Sequence, residues 1–213
     1  MGRVFFPSGA VELEGVLDLP DAGGPVAGAV LCHPHPEYGG TLDNHVVTGL
    51  AEAFLGAGFA VLRFNFRGVG RSGGTHGGGG PERGDVAAAL SFLAGSAPVD
   101  PTALVLAGYS FGAWVGLPVG AASAGVRALV AVAPPLAAFP MEAFDTRGHA
   151  LLAVAGTRDP FCPADRFDAW FASLSEPKEK VVVEGADHFF RFREAEVGRA
   201  AAGFARRALQ LPA

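Results

Sequence analysis

The sequence contains few charged residues and no long uninterrupted apolar run. Asp, Glu, Lys and Arg make up 17% of the 213 residues, and the formal net charge is −5. Without a run of basic residues, this composition argues against a nucleic-acid-binding surface. No apolar stretch reaches the roughly 18–20 residues of a membrane span without an intervening Gly, Pro or charge. We therefore expect neither a nucleic-acid partner nor a membrane-spanning helix.

Cysteine is also scarce. Cys32 ends an apolar run and Cys162 lies in a loop flanked by prolines. Two cysteines at this unrelated spacing do not form a disulfide framework and are typical of a reducing compartment. The first seven residues contain no apolar segment typical of a signal peptide, so we expect a cytoplasmic protein. Cys32 is predicted to be a buried hydrophobe, whereas Cys162 is either a thiol near a loop site or core filler.

Hydrophobic residues are abundant, at 50% of the chain, and short apolar runs alternate with helical stretches. This alternation predicts a single α/β domain over residues 1–213, with a mostly parallel, doubly wound sheet and helices on both faces. Asp43 or Asn44 could cap the first helix, and Pro118 should kink or shorten the third. The glycine-rich segment 73–80 is interpreted as a flexible loop. The predicted strands cover 4–6, 11–19, 28–32, 60–64, 104–108, 127–132, 149–155 and 180–183, and the predicted helices cover 46–58, 84–93, 111–122, 164–174 and 193–209.

The Gly-Tyr-Ser-Phe-Gly segment over residues 108–112 is the strongest functional signal. It follows the apolar run 104–107 and precedes a helical stretch. A sharp strand–turn–helix around Gly-x-Ser-x-Gly is the nucleophile elbow of α/β-hydrolases, in which small residues permit a strained Ser. Ser110 is therefore the candidate nucleophile, and the N–H group of Phe111 is the first candidate oxyanion donor.

A serine nucleophile needs a base and a group that orients the base, and in this fold the acid and the His follow the Ser in chain order. Asp159 follows the strand predicted over 149–155, and His188 follows the strand predicted over 180–183. Both loops lie where open α/β sheets bind ligands. Asp159 and His188 thus fit the orienting acid and the general base. Asp187 and Asp165 are weaker candidates for the acid.

The loop Cys32-His33-Pro34-His35-Pro36-Glu37-Tyr38-Gly39-Gly40 should supply the second oxyanion donor. Because Pro34 and Pro36 have no N–H group, His35 is the predicted donor. His33 should pack beneath the loop and hold its shape. We expect no metal and no cofactor, because no third Cys, His or carboxylate stands at ligand spacing beside the two histidines.

Together with the elbow, the His-Pro-His-Pro-x-x-Gly-Gly loop, Asp43-Asn44 and the segment Asn65-Phe66-Arg67-Gly68-Val69-Gly70 resemble the small α/β-hydrolases related to dienelactone hydrolases. The resemblance spans nearly the whole chain and implies a Ser-Asp-His hydrolase, with the three roles falling on Ser110, Asp159 and His188. True dienelactone hydrolases have Cys at the nucleophile position, so their substrate is not carried over. The role of His45, where such relatives are expected to have Lys, stays open. Arg67 is interpreted as structural, binding backbone carbonyls.

Only about fifteen residues, 133–148, connect the strand predicted after the elbow helix to the next one, and three prolines interrupt them. A cap domain does not fit in this length, so we expect an open, shallow pocket. Its candidate lining residues are aromatic: Tyr38, Phe139, Phe161 and Phe189. The sequence predicts an esterase that cleaves small carboxylic esters. A thioesterase, a small peptidase, an acyltransferase and a non-catalytic binding protein with this fold are the alternatives.

Overall fold

One eight-stranded sheet organises the protein, whose computed structural model describes residues 2–141 and 143–211. The strands are β1 (Gly2–Ser8), β2 (Val11–Asp18), β3 (Val26–Cys32), β4 (Ala60–Phe64), β5 (Val99–Tyr109), β6 (Val126–Val132), β7 (Ala150–Gly156) and β8 (Lys178–Val183). The α-helices are α1 (His45–Gly56), α2 (Gly80–Ala94), α3 (Phe111–Ala122), α4 (Ala164–Ser173) and α5 (Glu194–Ala208), and a short 3-10 helix covers Pro36–Tyr38.

The strand order is β1-β2-β4-β3-β5-β6-β7-β8. β2 pairs antiparallel with both of its neighbours, β1 and β4. The remaining pairs, β4-β3, β3-β5, β5-β6, β6-β7 and β7-β8, are parallel. From β3 the chain moves outward to β4, and from β5 it moves in the opposite direction to β8. The order therefore reverses between β3 and β5, and open sheets bind ligands beyond the carboxyl ends of the strands at such a point.

Helices cover both faces of the sheet, as the sequence predicts. One buried cluster joins the sheet to α2, α3 and α4, and a second joins the other face to α1 and α5. The strands β3 and β4 are buried at every position, which is the pattern expected of strands covered on both sides. The hydrophobic composition thus reflects a sheet enclosed between two helical layers.

Several element boundaries differ from the prediction. Helix α2 begins at Gly80, four residues earlier than predicted, because the Glu82 side chain accepts hydrogen bonds from the N–H groups of Gly77 and Gly79 at 2.7 Å each. The same bonds tie the glycine-rich segment 73–80 to the helix. Of the two effects expected of Pro118, a kink or a shortened helix, shortening does not occur, since α3 continues to Ala122. Asn44, one of the two candidates, caps α1 through its side chain.

The connection between β6 and β7 forms no cap. Its described residues, 133–141 and 143–148, contain neither a helix nor a strand. Hydrogen bonds hold it to the loop after β7 and to α4: the Ala137 N–H group donates to the Phe161 carbonyl at 3.0 Å, and the Arg166 side chain donates to the Leu136 carbonyl at 3.1 Å. In the described part of the chain, no helix has the length and apolar character needed to cross a bilayer.

Candidate active site

The turn between β5 and α3 has the strained geometry of a nucleophile elbow. Ser110 has φ 54° and ψ −118°, a combination that costs non-glycine residues on the order of 1–3 kcal/mol. A Cβ on Gly108 would lie 2.4 Å from the Gly112 carbonyl oxygen, and one on Gly112 would lie 2.3 Å from the Cys32 carbonyl oxygen. Both positions therefore require glycine, because the turn presses its backbone against neighbouring main chain.

Three polar side chains from different loops form a continuous hydrogen-bonded relay. His188 Nε2 lies 2.9 Å from Ser110 Oγ, and His188 Nδ1 lies 2.7 Å from Asp159 Oδ2. All three residues are buried. Since an ionised carboxylate only accepts, Nδ1 carries the hydrogen and Nε2 faces the hydroxyl with its lone pair. We refer to Ser110, His188 and Asp159 as the relay.

The loop after β7 fixes the carboxylate of Asp159. Its Oδ1 atom accepts hydrogen bonds from the N–H groups of Phe161 at 2.8 Å and Cys162 at 3.0 Å. These bonds leave Oδ2 directed at His188. The two weaker candidates lie elsewhere: Asp187 is exposed and accepts from the Phe189 N–H group at 2.9 Å, and Asp165 is exposed in the first turn of α4.

Two residues hold the backbone around His188, and sequence reasoning did not assign either role. The Tyr109 hydroxyl donates to the His188 carbonyl at 2.8 Å, and the His45 Nε2 atom lies 2.7 Å from the Phe189 carbonyl. A buried tyrosine hydroxyl needs a partner, so the position of Tyr109 at the end of an apolar strand was an available signal. Burial raises the pKa of Tyr109, with Asp159 and Asp187 adding to the effect.

Two N–H groups close to the relay are free to bind a ligand. Among the hydrogen bonds of residues 2–141 and 143–211, none uses the N–H group of His35 or that of Phe111. The two residues belong to the loops after β3 and β5, and their rings lie 4.9 Å apart between centroids. Both predicted oxyanion donors therefore lie at the point where the strand order reverses, with unused hydrogen-bonding capacity.

His33 holds the loop after β3 in place, as expected. Its Nε2 atom accepts from the Phe66 N–H group at 3.0 Å, so its Nδ1 atom is the donor to the Pro34 carbonyl at 2.6 Å. Burial lowers the pKa of His33 to about 4, and His35 adds to this effect although the Pro34 hydrogen bond opposes it. The neutral ring thus links the proline-rich loop to the segment after β4.

The segment after β4 binds carboxylates and not the carbonyls that the sequence analysis expected. Arg67 donates from Nη2 to Asp85 Oδ1 at 2.6 Å and from Nε to Asp85 Oδ2 at 3.0 Å. The Ser8 hydroxyl also donates to Asp85, at 2.7 Å. The expectation for the partners of Arg67 is therefore wrong, although the side chain is engaged in a structural contact. We refer to Ser8, Arg67 and Asp85 as the Arg67 cluster.

Two of the four predicted pocket aromatics lie against the relay, and the other two lie near His35. Phe161 and Phe189 are partly exposed, with ring centroids 4.8 and 5.8 Å from that of His188. Phe139 is half-buried, stacks on Trp114 at 4.3 Å and lies 6.1 Å from the His35 ring. Tyr38 is 87% exposed and contacts only the rim of the site, through His35 at 4.8 Å.

Both cysteines are free thiols in the buried core. Burial raises the pKa of the Cys32 thiol and of the Cys162 thiol, with Asp85 and Asp159 respectively adding to the effect. A raised pKa leaves little thiolate at neutral pH, so neither side chain is a reactive nucleophile. Cys162 contributes to the site through its backbone N–H group.

The fold also brings together three potential metal ligands, two from the loop after β3 and one from the loop after β4. One donor atom each from His35, Glu37 and His76 lies within 4.8 Å of the others. The expectation of no third ligand beside the loop histidines is therefore wrong, because Glu37 lies in the same loop and His76 approaches it from a position 41 residues after His35. His35 Nδ1 accepts from the Glu37 N–H group at 3.2 Å. Burial and the nearby His76 lower the pKa of His35, although Glu37 and Glu82 oppose this.

A mostly parallel sheet, a strained Ser after its fifth strand and a relay of this geometry are the features of an α/β-hydrolase. The family model for the alpha/beta hydrolase domain matches residues 29–210. The chain therefore belongs to the α/β-hydrolase family.

Similar proteins agree with this assignment. An uncharacterized protein from Rickettsia prowazekii is 32% identical over 188 residues, which cover 81% of this chain and 75% of that protein. An α/β serine hydrolase homologue from Coxiella burnetii is 32% identical with a TM-score of 0.84, covering 95% of this chain and 96% of the other. A lid-less α/β serine hydrolase from Xanthomonas campestris is 31% identical with a TM-score of 0.87, covering 100% and 95%.

Proposed function

We propose that this protein is a serine hydrolase of the esterase type, which cleaves small carboxylic esters through an acyl-enzyme. The observation that carries the proposal is the relay, in which contacts of 2.9 and 2.7 Å connect Ser110 through His188 to Asp159. These are the distances required of a nucleophile, its base and the group that orients the base. The related serine hydrolases from Coxiella burnetii and Xanthomonas campestris support the same class.

The reaction follows from the direction of the hydrogen bonds. His188 Nε2 accepts the Ser110 proton as Oγ attacks the ester carbonyl, and it later donates that proton to the leaving alcohol. Asp159 keeps the hydrogen on Nδ1 and stabilises the imidazolium that forms. Water then attacks the acyl-enzyme with His188 again as the base, which releases the acid and restores Ser110.

The free N–H groups of Phe111 and His35 are proposed to bind the oxyanion. Removing one such donor costs roughly 3–4 kcal/mol of transition-state stabilisation in well-studied hydrolases. The start of α3 lies at the same place, where the helix dipole favours developing negative charge. No cofactor is needed, because the nucleophile, base and oxyanion donors all come from the chain.

The substrate is proposed to be a small acyl ester bound between the exposed aromatic side chains. Phe161, Phe189 and Phe139 offer apolar area beside the relay, and Tyr38 extends the rim. A thioesterase, a small peptidase or an acyltransferase would use the same relay and is an alternative. The relation to dienelactone hydrolases stays a prediction, as do a single domain over residues 1–213 and a cytoplasmic location, which the two free thiols favour.

Covalent labelling with a fluorophosphonate probe tests the proposal, with p-nitrophenyl acetate as the substrate for turnover. The native protein should label and hydrolyse the ester, whereas Ser110→Ala should do neither beyond the residual ~10³–10⁴-fold rate over water of a site lacking its nucleophile. Ser123→Ala is the matched control, because Ser123 lies just beyond the other end of α3 and its hydroxyl donates to the Val119 carbonyl, away from the relay.

Absent labelling of the native protein would contradict the proposal and favour a binding protein that retains the hydrolase fold. Undiminished turnover in Ser110→Ala would assign the nucleophile to another residue. An ester library graded by acyl length, run beside a thioester and an anilide of the same acyl group, separates the esterase from its alternatives.

A further inference from the structure

A group of side chains at the rim of the candidate site is independent of the relay. Each relay residue is already engaged with another, but His35, Glu37 and His76 converge from two loops with donor atoms within 4.8 Å of one another. His35 and His76 have ring centroids 5.1 Å apart. Two imidazoles and a carboxylate form a ligand set typical of zinc sites.

The strongest indication comes from the residue behind His76. The Glu82 carboxylate is fully buried and lies 3.0 Å from His76 Nδ1. Its two oxygens also accept from the N–H groups of Gly77 and Gly79, so the carboxylate is rigidly placed. The His76 Nδ1 atom beside it is buried and has no hydrogen-bond partner in the described part of the chain.

Carboxylates commonly lie beside metal-binding histidines. The contact of His76 with Glu82 is close, but it is not a hydrogen bond, so the buried Nδ1 atom has no such partner among residues 2–141 and 143–211. An unpartnered ring nitrogen beside a fixed negative charge points to a positively charged ligand at His76.

We propose that His35, Glu37 and His76 form a binding site for a divalent transition-metal ion of the zinc class. Ligands around tetrahedral zinc stand about 3.4 Å apart at bond lengths of ~2.0–2.2 Å, so the present spacing must contract when the ion binds. Glu37 is exposed, and its side chain can move. His35 must release the Glu37 N–H group or present its other nitrogen.

The proposed site leaves at least one coordination position for water or a substrate atom. It lies on the loop that carries the His35 N–H group, and the His76 ring lies 5.5 Å from that of Phe111. The metal would thus sit beside the candidate oxyanion donors without using Ser110, His188 or Asp159. This inference does not depend on the proposed hydrolytic activity, since binding is measurable in a protein that hydrolyses nothing.

The test is a competition titration with Zn²⁺ and a chromogenic chelator, using the full chain freed of any histidine tag. We expect one tight equivalent per chain. His76→Gln and Glu37→Gln should each weaken it at least about tenfold, the scale of losing a supporting group or more. Glu37→Gln changes an exposed side chain, so a loss there does not reflect misfolding.

Three control variants locate the ion. His149→Gln replaces a histidine that bonds to the Thr146 carbonyl away from the cluster, and it should bind Zn²⁺ like the native protein. His188→Gln and Ser110→Ala should also retain binding, which excludes the relay as the metal site. Failure of the native protein to take up one equivalent, or retained affinity in both His76→Gln and Glu37→Gln, would overturn the proposal whatever the labelling experiment shows.

Discussion

Two buried polar clusters in this molecule, the relay and the Arg67 cluster, differ in how their hydrogen bonds are used. In the Arg67 cluster, both oxygens of the fully buried Asp85 accept from Arg67, and the Ser8 hydroxyl adds a further bond. These hydrogen bonds all join members of the cluster to one another. It ties β1, α2 and the segment after β4 together, and its function in the molecule is structural.

The relay residues are also hydrogen-bonded to one another, but backbone N–H groups beside them make no hydrogen bond in the described part of the chain. The N–H groups of Phe111 and His35 have no partner among the described residues, and Ser110 occupies a strained backbone conformation. Buried polar groups in folded proteins are normally satisfied. The comparison teaches that unsatisfied donors beside a connected network distinguish a candidate catalytic site from a structural ion pair.

The largest effect should come from breaking the relay at its acid. Asp159→Asn should lower kcat about 10⁴-fold, because an amide at this position favours the wrong tautomer of the His188 ring, as in the well-studied protease triad. Asp187→Asn should lower kcat by less than about tenfold, since an amide oxygen can still accept from the Phe189 N–H group. The measurement is steady-state hydrolysis of p-nitrophenyl acetate. A greater loss in Asp187→Asn would require the relay to be redrawn.

Breaking the Arg67 cluster should affect stability and not chemistry. Asp85→Asn should lower the free energy of unfolding by roughly 3 kcal/mol, because it leaves the partly buried Arg67 guanidinium without a charged partner. Urea denaturation measures the change, and active-site titration corrects kcat for the folded fraction. If the corrected kcat falls more than tenfold, the cluster also contributes to the site, and the distinction drawn above is wrong.

The N–H group of His35 can be tested separately from that of Phe111. Its φ of −55° and ψ of 125° are compatible with proline, which removes the N–H group without requiring a new backbone conformation. His35→Pro should lower kcat about 10²–10³-fold, whereas His35→Ala retains the N–H group and should stay close to the native kcat. Equal kcat values in the two variants would assign the second oxyanion donor to another residue.

The last effect depends on pH and concerns His33, which supports the proline-rich loop after β3. Its pKa of about 4 in the folded protein lies below the usual value of ~6.5 in an unfolded chain. The unfolded state therefore binds the proton first. The contribution to stability is complete above pH 6.5 and is lost as the pH falls toward 4, by up to roughly 3 kcal/mol.

Urea denaturation between pH 7.5 and 4.5 measures this dependence. His33→Gln should be less stable at neutral pH but should show a flatter pH profile, whereas His149→Gln should keep the native slope. A native-like slope in His33→Gln would show that other groups cause the pH dependence.

The sequence predicts an element accurately where turn chemistry marks its ends. Strand β4 and helix α3 begin and end at the predicted residues, because Gly58 and the elbow define sharp boundaries. The start of α2 was missed because its capping group, Glu82, reaches backward into a glycine-rich segment with no periodicity of its own. The start of β5 at Val99 was missed because Pro101 interrupts the apolar pattern.

The same distinction applies to the candidate site. Ser110, Asp159 and His188 could be selected from the sequence because each follows a predicted strand, and parallel strands end at a common edge. His76 follows no strand directly, and its proximity to His35 depends on how Glu82 anchors the segment 73–80. His45 could not be assigned to the Phe189 carbonyl, since that contact joins residues 144 positions apart. Such contacts depend on packing between loops, which periodicity does not encode.

The reversal of strand order between β3 and β5 also separates the loops of the candidate site into two groups, which could change independently in evolution. Asp159 and His188 lie in loops on one side of the reversal, after β7 and β8, whereas the proline-rich loop and the segment 73–80 lie on the other side. Loop grafting or recombination on the second side would thus change the surroundings of the relay while Asp159 and His188 stay in place. Each half of the sheet thus carries its own set of site loops.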